Sequence, residues 1–231
     1  MSVVRSDYDS DPQRFLSSEQ YPPEDVHPAV AERFAAAGAR TIADVGGGSG
    51  KLARLLPSRG MRCVVVDLSP TMLELAPRPA VLADGARLPL ASTCVDAVAA
   101  LYTLYHYEDP RVPIREARRI LRPGGLFAAC APNSDSTPEL AAVLPDWGSS
   151  STFDGEDAAA KVQSVFAAPG DRVSEDRWDG FQLQLTNAAD ATAFLRVHGL
   201  PEQDARAAAE SLPLPMALTM RGSVVYATKS L

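Results

Sequence analysis

"TIADVGGGSGKLARLL", residues 41–56, sets four glycines in five positions between a short apolar run and an amphipathic one. "TIADV" is β-branched, apolar and brief, which predicts a buried strand, and "KLARLL" spaces its leucines as a helix does. The chain therefore passes from strand through a bare turn into a helix. Glycine at such a turn can take positive φ and bring backbone N–H groups against a ligand with no Cβ between them.

Three ligand classes use that device. A phosphate-cradling loop needs G-x-x-x-x-G-K-[ST], but reading back from Gly50 and Lys51 puts Val45 at the first glycine and Leu52 at the hydroxyl position. The dinucleotide pattern G-x-G-x-x-G fits Gly46 and Gly48 and fails at Lys51, where a third glycine would let the helix pack closely. What stands here is D-x-G-x-G-x-G, from Asp44 to Gly50, with a second acid, Asp67, after the next apolar run.

The same plan repeats outward. "HPAVAERFAAAG" predicts a helix with Pro28 in its first turn and Gly38 as its stop. "RCVVVDLSPTMLELA" predicts a strand over residues 63–66 with Asp67 at its end, then a helix opened by Ser69 as N-cap and Pro70. "AVLADGARLPL" gives a third short strand ending at Asp84, and "CVDAVAALYTL" a fourth. "DPRVPIREARRILRPGG" gives a helix closed by Pro123, Gly124 and Gly125, and "LFAACA" a fifth strand. Apolar strands alternating with helices predict a parallel sheet covered on both faces. Residues 132–170 are rich in turn formers, apart from the helical "DAAAKVQSVFAA", and a stretch of that length predicts a lid or binding insertion. Beyond it, "RVSEDRWDGFQLQLT", two helical stretches and "GSVVYATKS" read as strand, helices, strand. No internal repeat is present.

With these residues in place, "ADVGGGSG" resembles motif I of the class I S-adenosylmethionine-dependent methyltransferases. Asp67 in "VVVDLSPTML" is similar to the acid that holds the ribose hydroxyls there, and Asp84-Gly85 in "ADGARLPL" to the pair flanking adenine. "VDAVAALYTLYHYEDP" followed by "REARRILRPGG" resembles the fourth motif and its sequel in the ubiquinone-biosynthesis-like branch of small-molecule methyltransferases. The close likeness covers about residues 41–131, and "GSVVYATKS" resembles the antiparallel last strand of the family sheet.

The resemblance implies a Rossmann-like, doubly wound α/β fold, seven-stranded and mostly parallel with its last strand antiparallel. It implies methyl transfer from S-adenosylmethionine to a small organic acceptor at O, N or C, leaving S-adenosylhomocysteine. For the site it implies Asp44 organising the loop, Gly46 and Gly48 beside the methionine part, and Asp67 with Leu68 at the ribose. Asp84 and Gly85 fall at the adenine, and the carbonyls near Ala100 and Leu101 at the ammonium. His106, in "LYTLYHYED", is the candidate catalytic base, since an imidazole titrates near working pH. The branch carries a His there whatever the substrate, which implies a positioning role instead. Tyr102, Tyr105 and Tyr107 are candidate pocket walls, Tyr8 and Tyr21 candidate covers, and Trp147 a candidate lid residue.

Composition narrows the alternatives. At 231 residues, 46% hydrophobic and 22% charged, the chain suits one globular domain: a cofactor-binding core at about 39–131, an N-terminal helical arm over 1–38 and the insertion at 132–170. A net charge of −7 with only three lysines argues against nucleic acid as partner, leaving a small-molecule acceptor and a monomer or homodimer. Cys63, Cys94 and Cys130 form no C-x-x-C pair and the three histidines are far apart, so no metal is expected. No apolar run approaches the ~20 residues of a membrane span, and residues 1–15 lack a signal pattern, which gives a cytoplasmic expectation. Two other readings of the same crevice are a nicotinamide-dependent (NAD(P)) oxidoreductase and an S-adenosylmethionine-binding protein without transfer.

Overall fold

The computed structural model describes residues 8–9, 26–144, 152–155, 157–198 and 200–231, without the side chain of Phe181. Its helices are α1 (Val26–Ala36), α2 (Lys51–Leu55), α3 (Pro70–Leu75), α4 (Arg111–Ile120), α5 (Pro138–Ala141), α6 (Ala158–Val165), α7 (Ala188–Val197) and α8 (Glu202–Ser211). Its strands are β1 (Thr41–Val45), β2 (Arg62–Asp67), β3 (Ala80–Leu82), β4 (Val95–Leu101), β5 (Leu121–Pro132), β6 (Arg172–Leu185) and β7 (Met216–Thr228).

The seven strands form one sheet in the order β3-β2-β1-β4-β5-β7-β6. The first five are parallel, and β7 runs antiparallel between β5 and β6. This is the doubly wound, mostly parallel sheet expected, with the last strand antiparallel. Side-chain alternation along the strands sorts the core into two layers. Ala43 and Val45 of β1 with Val98 and Ala100 of β4 face α4 and α6, while Ile42, Ala97, Ala99 and Leu101 face α1 and α2. Ser69 caps α3 as its sequence predicts, its Oγ accepting the Met72 N–H at 3.1 Å.

Several boundaries differ from the sequence reading. β3 stops at Leu82, because Asp84 is drawn into a turn in which its Oδ1 accepts the Ala86 N–H. α4 ends at Ile120, and "LRPGG" already belongs to β5: Leu121 pairs with Val95 and the register shifts before Leu126 meets Ala97. Gly124 and Gly125 accommodate that irregularity and do not cap a helix.

The described residues of the 132–170 stretch fall in two places. Phe153, Ala158, Val162 and Phe166 are fully buried in the main core against β5 and β7, so α6 is a sheet-covering helix. α5 instead joins a third cluster in which Leu140 packs with Leu185, Phe194, Leu195, Ala205, Leu218 and Met220. The far ends of β6 and β7, pairing on from Phe181 and Met220 to Leu185 and Met216, carry α7 and α8 out as a small helical cap with its own core. Periodicity marked those helices but not their packing partner. Trp147 and Tyr21 lie outside the described residues. No helix among the described residues is long and apolar enough to cross a membrane.

Candidate active site

The chain steps from β1 outward to β2 and β3 on one side, then returns to β4 and β5 on the other, so the order reverses between β1 and β4. At such a switch point the two loops leave in opposite directions and open a crevice at the strands' carboxyl ends. A cavity of about 330 Å3 lies there. Gly46, Gly48, Asp67, Leu68, Gly85 and His106, all singled out by sequence, line it.

The glycine loop is held by β2. The Gly46 N–H donates to the Val66 carbonyl at 2.7 Å, and Gly46 takes φ of 67°. A Cβ on Gly46 would sit 2.5 Å from the Cβ of Thr103 and closer still to its hydroxyl oxygen. The bareness at Gly46 therefore serves the next loop as well as any ligand. At Gly47 a Cβ would fall 2.6 Å from the Cγ of Asp44. Asp44 is thus packed beneath the loop, 3% exposed, and is not among the cavity residues. Burial, with the charge of Asp67 second, pushes its carboxyl up to about 7.

Asp67 joins the two loops. One carboxylate oxygen accepts the Gly48 N–H at 2.8 Å and the other the Ser69 N–H at 2.9 Å. Burial raises its pKa against the opposing pull of these amides and that of Leu68. A carboxylate offers about four acceptor positions, so capacity remains toward the cavity.

Asp84 and Leu101, like Asp44, lie off the cavity wall. Neither is among the cavity residues, which instead include Ala83, Gly85, Tyr102 and Thr103. Asp84 is engaged in its own turn and beside the Tyr107 hydroxyl, which in turn lies at Gly85. Leu101 is buried in the layer facing α1. The chain reaches the cavity only after Tyr102 takes φ of 54°, a strained value for a side chain of that bulk. Nothing in "LYTLY" signals that left-handed step.

His106 ends a 3-10 turn, Leu104–His106, that follows β4. Its Nε2 lies 2.9 Å from the Tyr8 hydroxyl, and the Tyr105 ring meets the imidazole edge-on with centroids 4.5 Å apart. Burial lowers its pKa to about 4, so the ring is neutral at physiological pH. Sequence reasoning missed Asp9, Ser69 and Met72 as cavity residues. Asp9 accepts from the Ser69 hydroxyl at 2.5 Å, a contact of 60 residues' separation that no local pattern encodes. No group of three or more His, Cys, Asp or Glu able to hold a metal occurs among the described residues.

Residues 43–129 match the family described as "Methyltransferase domain". An uncharacterised methyltransferase of Mycobacterium tuberculosis is 38% identical over 110 residues, covering 46% of this chain and 43% of that protein. A demethylmenaquinone methyltransferase of Corynebacterium urealyticum is 32% identical over 109 residues, covering 46% and 47%. The chain thus spans less than half the length of these curated relatives. Among solved structures, an S-adenosylmethionine-dependent methyltransferase of Archaeoglobus fulgidus superposes with a TM-score of 0.56 at 16% identity, over 88% of this chain and 94% of that one. Residues 43–129 are thus similar to a methyltransferase domain, and the described strands beyond them complete a Rossmann-like sheet of the kind the solved structure shares.

Proposed function

We propose that the chain transfers the methyl group of S-adenosylmethionine to a small organic acceptor, releasing S-adenosylhomocysteine. The observation that carries this reading is the convergence of Gly46, Gly48 and Asp67 on one cavity at the sheet's switch point. The residues fit the donor. Asp67 keeps acceptor capacity for a ribose diol, with Leu68 beside it. Gly46 and Gly48 leave the backbone bare for the methionine portion, and Gly85 lies at the far wall with Asp84 in the turn behind it. The backbone after Leu101, at Tyr102 and Thr103, faces the same space. Asp44 organises the loop from beneath.

When bound, S-adenosylmethionine supplies an electrophilic methyl group on a sulfonium sulfur. The chain's part is to hold the acceptor in line and to keep water out, and orientation of this kind can contribute about 7–11 kcal/mol. His106, neutral down to about pH 4, orients an acceptor by hydrogen bonding; a conjugate acid that strong makes a poor general base for a phenol or alcohol. Among the described residues lining the cavity the charged side chains are Asp9 and Asp67, with no Lys or Arg. That balance complements a sulfonium cation and selects neutral or amine acceptors over phosphorylated or carboxylated ones.

Calorimetry with S-adenosylhomocysteine and with NADH tests the reading. Saturable binding of S-adenosylhomocysteine is expected. Asp67→Asn should weaken it by about 2 kcal/mol, roughly 30-fold, since one hydrogen bond to a charged acceptor is replaced by a neutral one. NADH binding tighter than S-adenosylhomocysteine would overturn the proposal.

A further inference from the structure

Two segments outside the methyltransferase domain converge on the turn that bears His106. From one side comes Tyr8, with its hydroxyl 2.9 Å from Nε2 and its ring edge-on to the imidazole at 5.6 Å and 85°. Its neighbour Asp9 is tied to Ser69 at the cofactor edge of the cavity. From the other side comes Thr152, whose hydroxyl lies 2.7 Å from the Tyr107 carbonyl and 3.1 Å from the Tyr105 carbonyl. Those are the carbonyls on either side of His106 in the chain. One hydroxyl proton serves two acceptors, and the shorter distance favours Tyr107.

Thr152 is itself fixed. Phe153 beside it is fully buried in the main core, and the Gly155 N–H donates to the Pro132 carbonyl at 3.2 Å. The turn is therefore clamped to something rigid. A 3-10 turn has only weak internal hydrogen bonds, so outside contacts decide its orientation. An imidazole used for orientation must also keep one ring position and one tautomer, which a single hydrogen bond to Nε2 can select.

We propose that Tyr8 and Thr152 are positioning residues for His106, Tyr8 through the ring and Thr152 through the backbone, so that acceptor selection is set by chain outside residues 43–129. This rests on reading the cavity as the methyl-donor site. Its consequence is that the donor edge, built from residues 44–85, and the acceptor edge, held by Tyr8 and Thr152, can be altered separately.

The test is nuclear magnetic resonance of the full chain with 15N-labelled histidine, recorded with and without S-adenosylhomocysteine. His106→Asn assigns the His106 signals against those of His27 and His198. In the wild type a single His106 tautomer is expected. Tyr8→Phe, which keeps the ring and removes the hydroxyl, should shift the ring nitrogens toward the average of two tautomers. Thr152→Val should speed amide exchange at His106 and Tyr107 by about tenfold, the equivalent of one lost hydrogen bond, and Thr152→Ser should restore it. Thr152 is exposed, so the valine leaves the core intact. Wild-type His106 behaviour in either Tyr8→Phe or Thr152→Val overturns the proposal. Absence of S-adenosylhomocysteine binding, with the His106 changes present, would instead count against the methyl-donor reading alone.

Discussion

Gly46→Ala is expected to lower the melting temperature by roughly 10 °C, the largest effect of any single methyl group added to the loop. Two costs combine. Gly46 has φ of 67°, and a side chain in the left-handed region costs about 1–2 kcal/mol. The new Cβ also falls 2.5 Å from the Cβ of Thr103, a branch point that rotation cannot clear, so the β4 loop must move at about 1–3 kcal/mol. The total of about 2–5 kcal/mol translates at ~2–4 °C per kcal/mol for a chain of this size. Thr103→Gly separates the two costs. In the double variant the overlap is relieved and only the φ penalty remains, so a double-mutant cycle should show favourable coupling. A Gly46→Ala protein within about 1 kcal/mol of wild type, by urea unfolding, would show that the two loops are not packed as described.

The contributions of His106 and Asp44 to stability should oppose each other between about pH 4 and 6.5, and substituting one or the other should tilt the profile in opposite directions. His106 falls from 6.5 to about 4 on folding, so the unfolded chain binds the extra proton between these values. Its contribution is complete above pH 6.5 and is lost as the pH falls toward 4. Asp44 rises from 3.8 to about 7, so the folded chain binds the extra proton there. Its contribution is present at low pH and is lost as the pH rises through 7; Asp67, also raised, adds in the same direction. Over the shared window each shift corresponds to about 3 kcal/mol, and there they oppose. Asp44→Asn should therefore leave a protein that loses about 3 kcal/mol on going from pH 6.5 to 4, whereas His106→Gln should give one that gains stability over the same interval. Asp96, held at about 2 by amides and by Arg122 against its burial, contributes only below that window. Parallel pH profiles of urea unfolding for both variants would refute the assigned environments.

Much of the glycine-loop side of the cavity was legible in the sequence because its determinants are local. Gly46 to Gly50 directly follow a strand, Asp67 ends the next strand, and Ser69 with Pro70 opens the next helix. Each depends on neighbours within a few residues, and a parallel strand-helix repeat brings such strand ends to one edge. Asp84 and Leu101 show the limit of that reasoning. Their sequence positions are those expected, yet the Asx turn at Asp84 and the left-handed step at Tyr102 present the residues after them to the cavity. Backbone torsion at one residue redirects the chain without altering a pattern of residue types.

By itself, the sequence determined the alternation of strand and helix, the parallel sheet and the bare loop between two acids, because periodicity and turn chemistry act over short distances; the antiparallel last strand was implied only by the family resemblance. Tertiary structure alone decided that α6 covers the sheet while α5, α7 and α8 form a separate cap, since one apolar helix face can bury against any partner of suitable shape. It alone brought Asp9 to Ser69, Tyr8 to the His106 ring and Thr152 to the carbonyls beside it. These contacts join residues from 45 to 98 positions apart, and their partners are chosen by packing that no local sequence rule specifies.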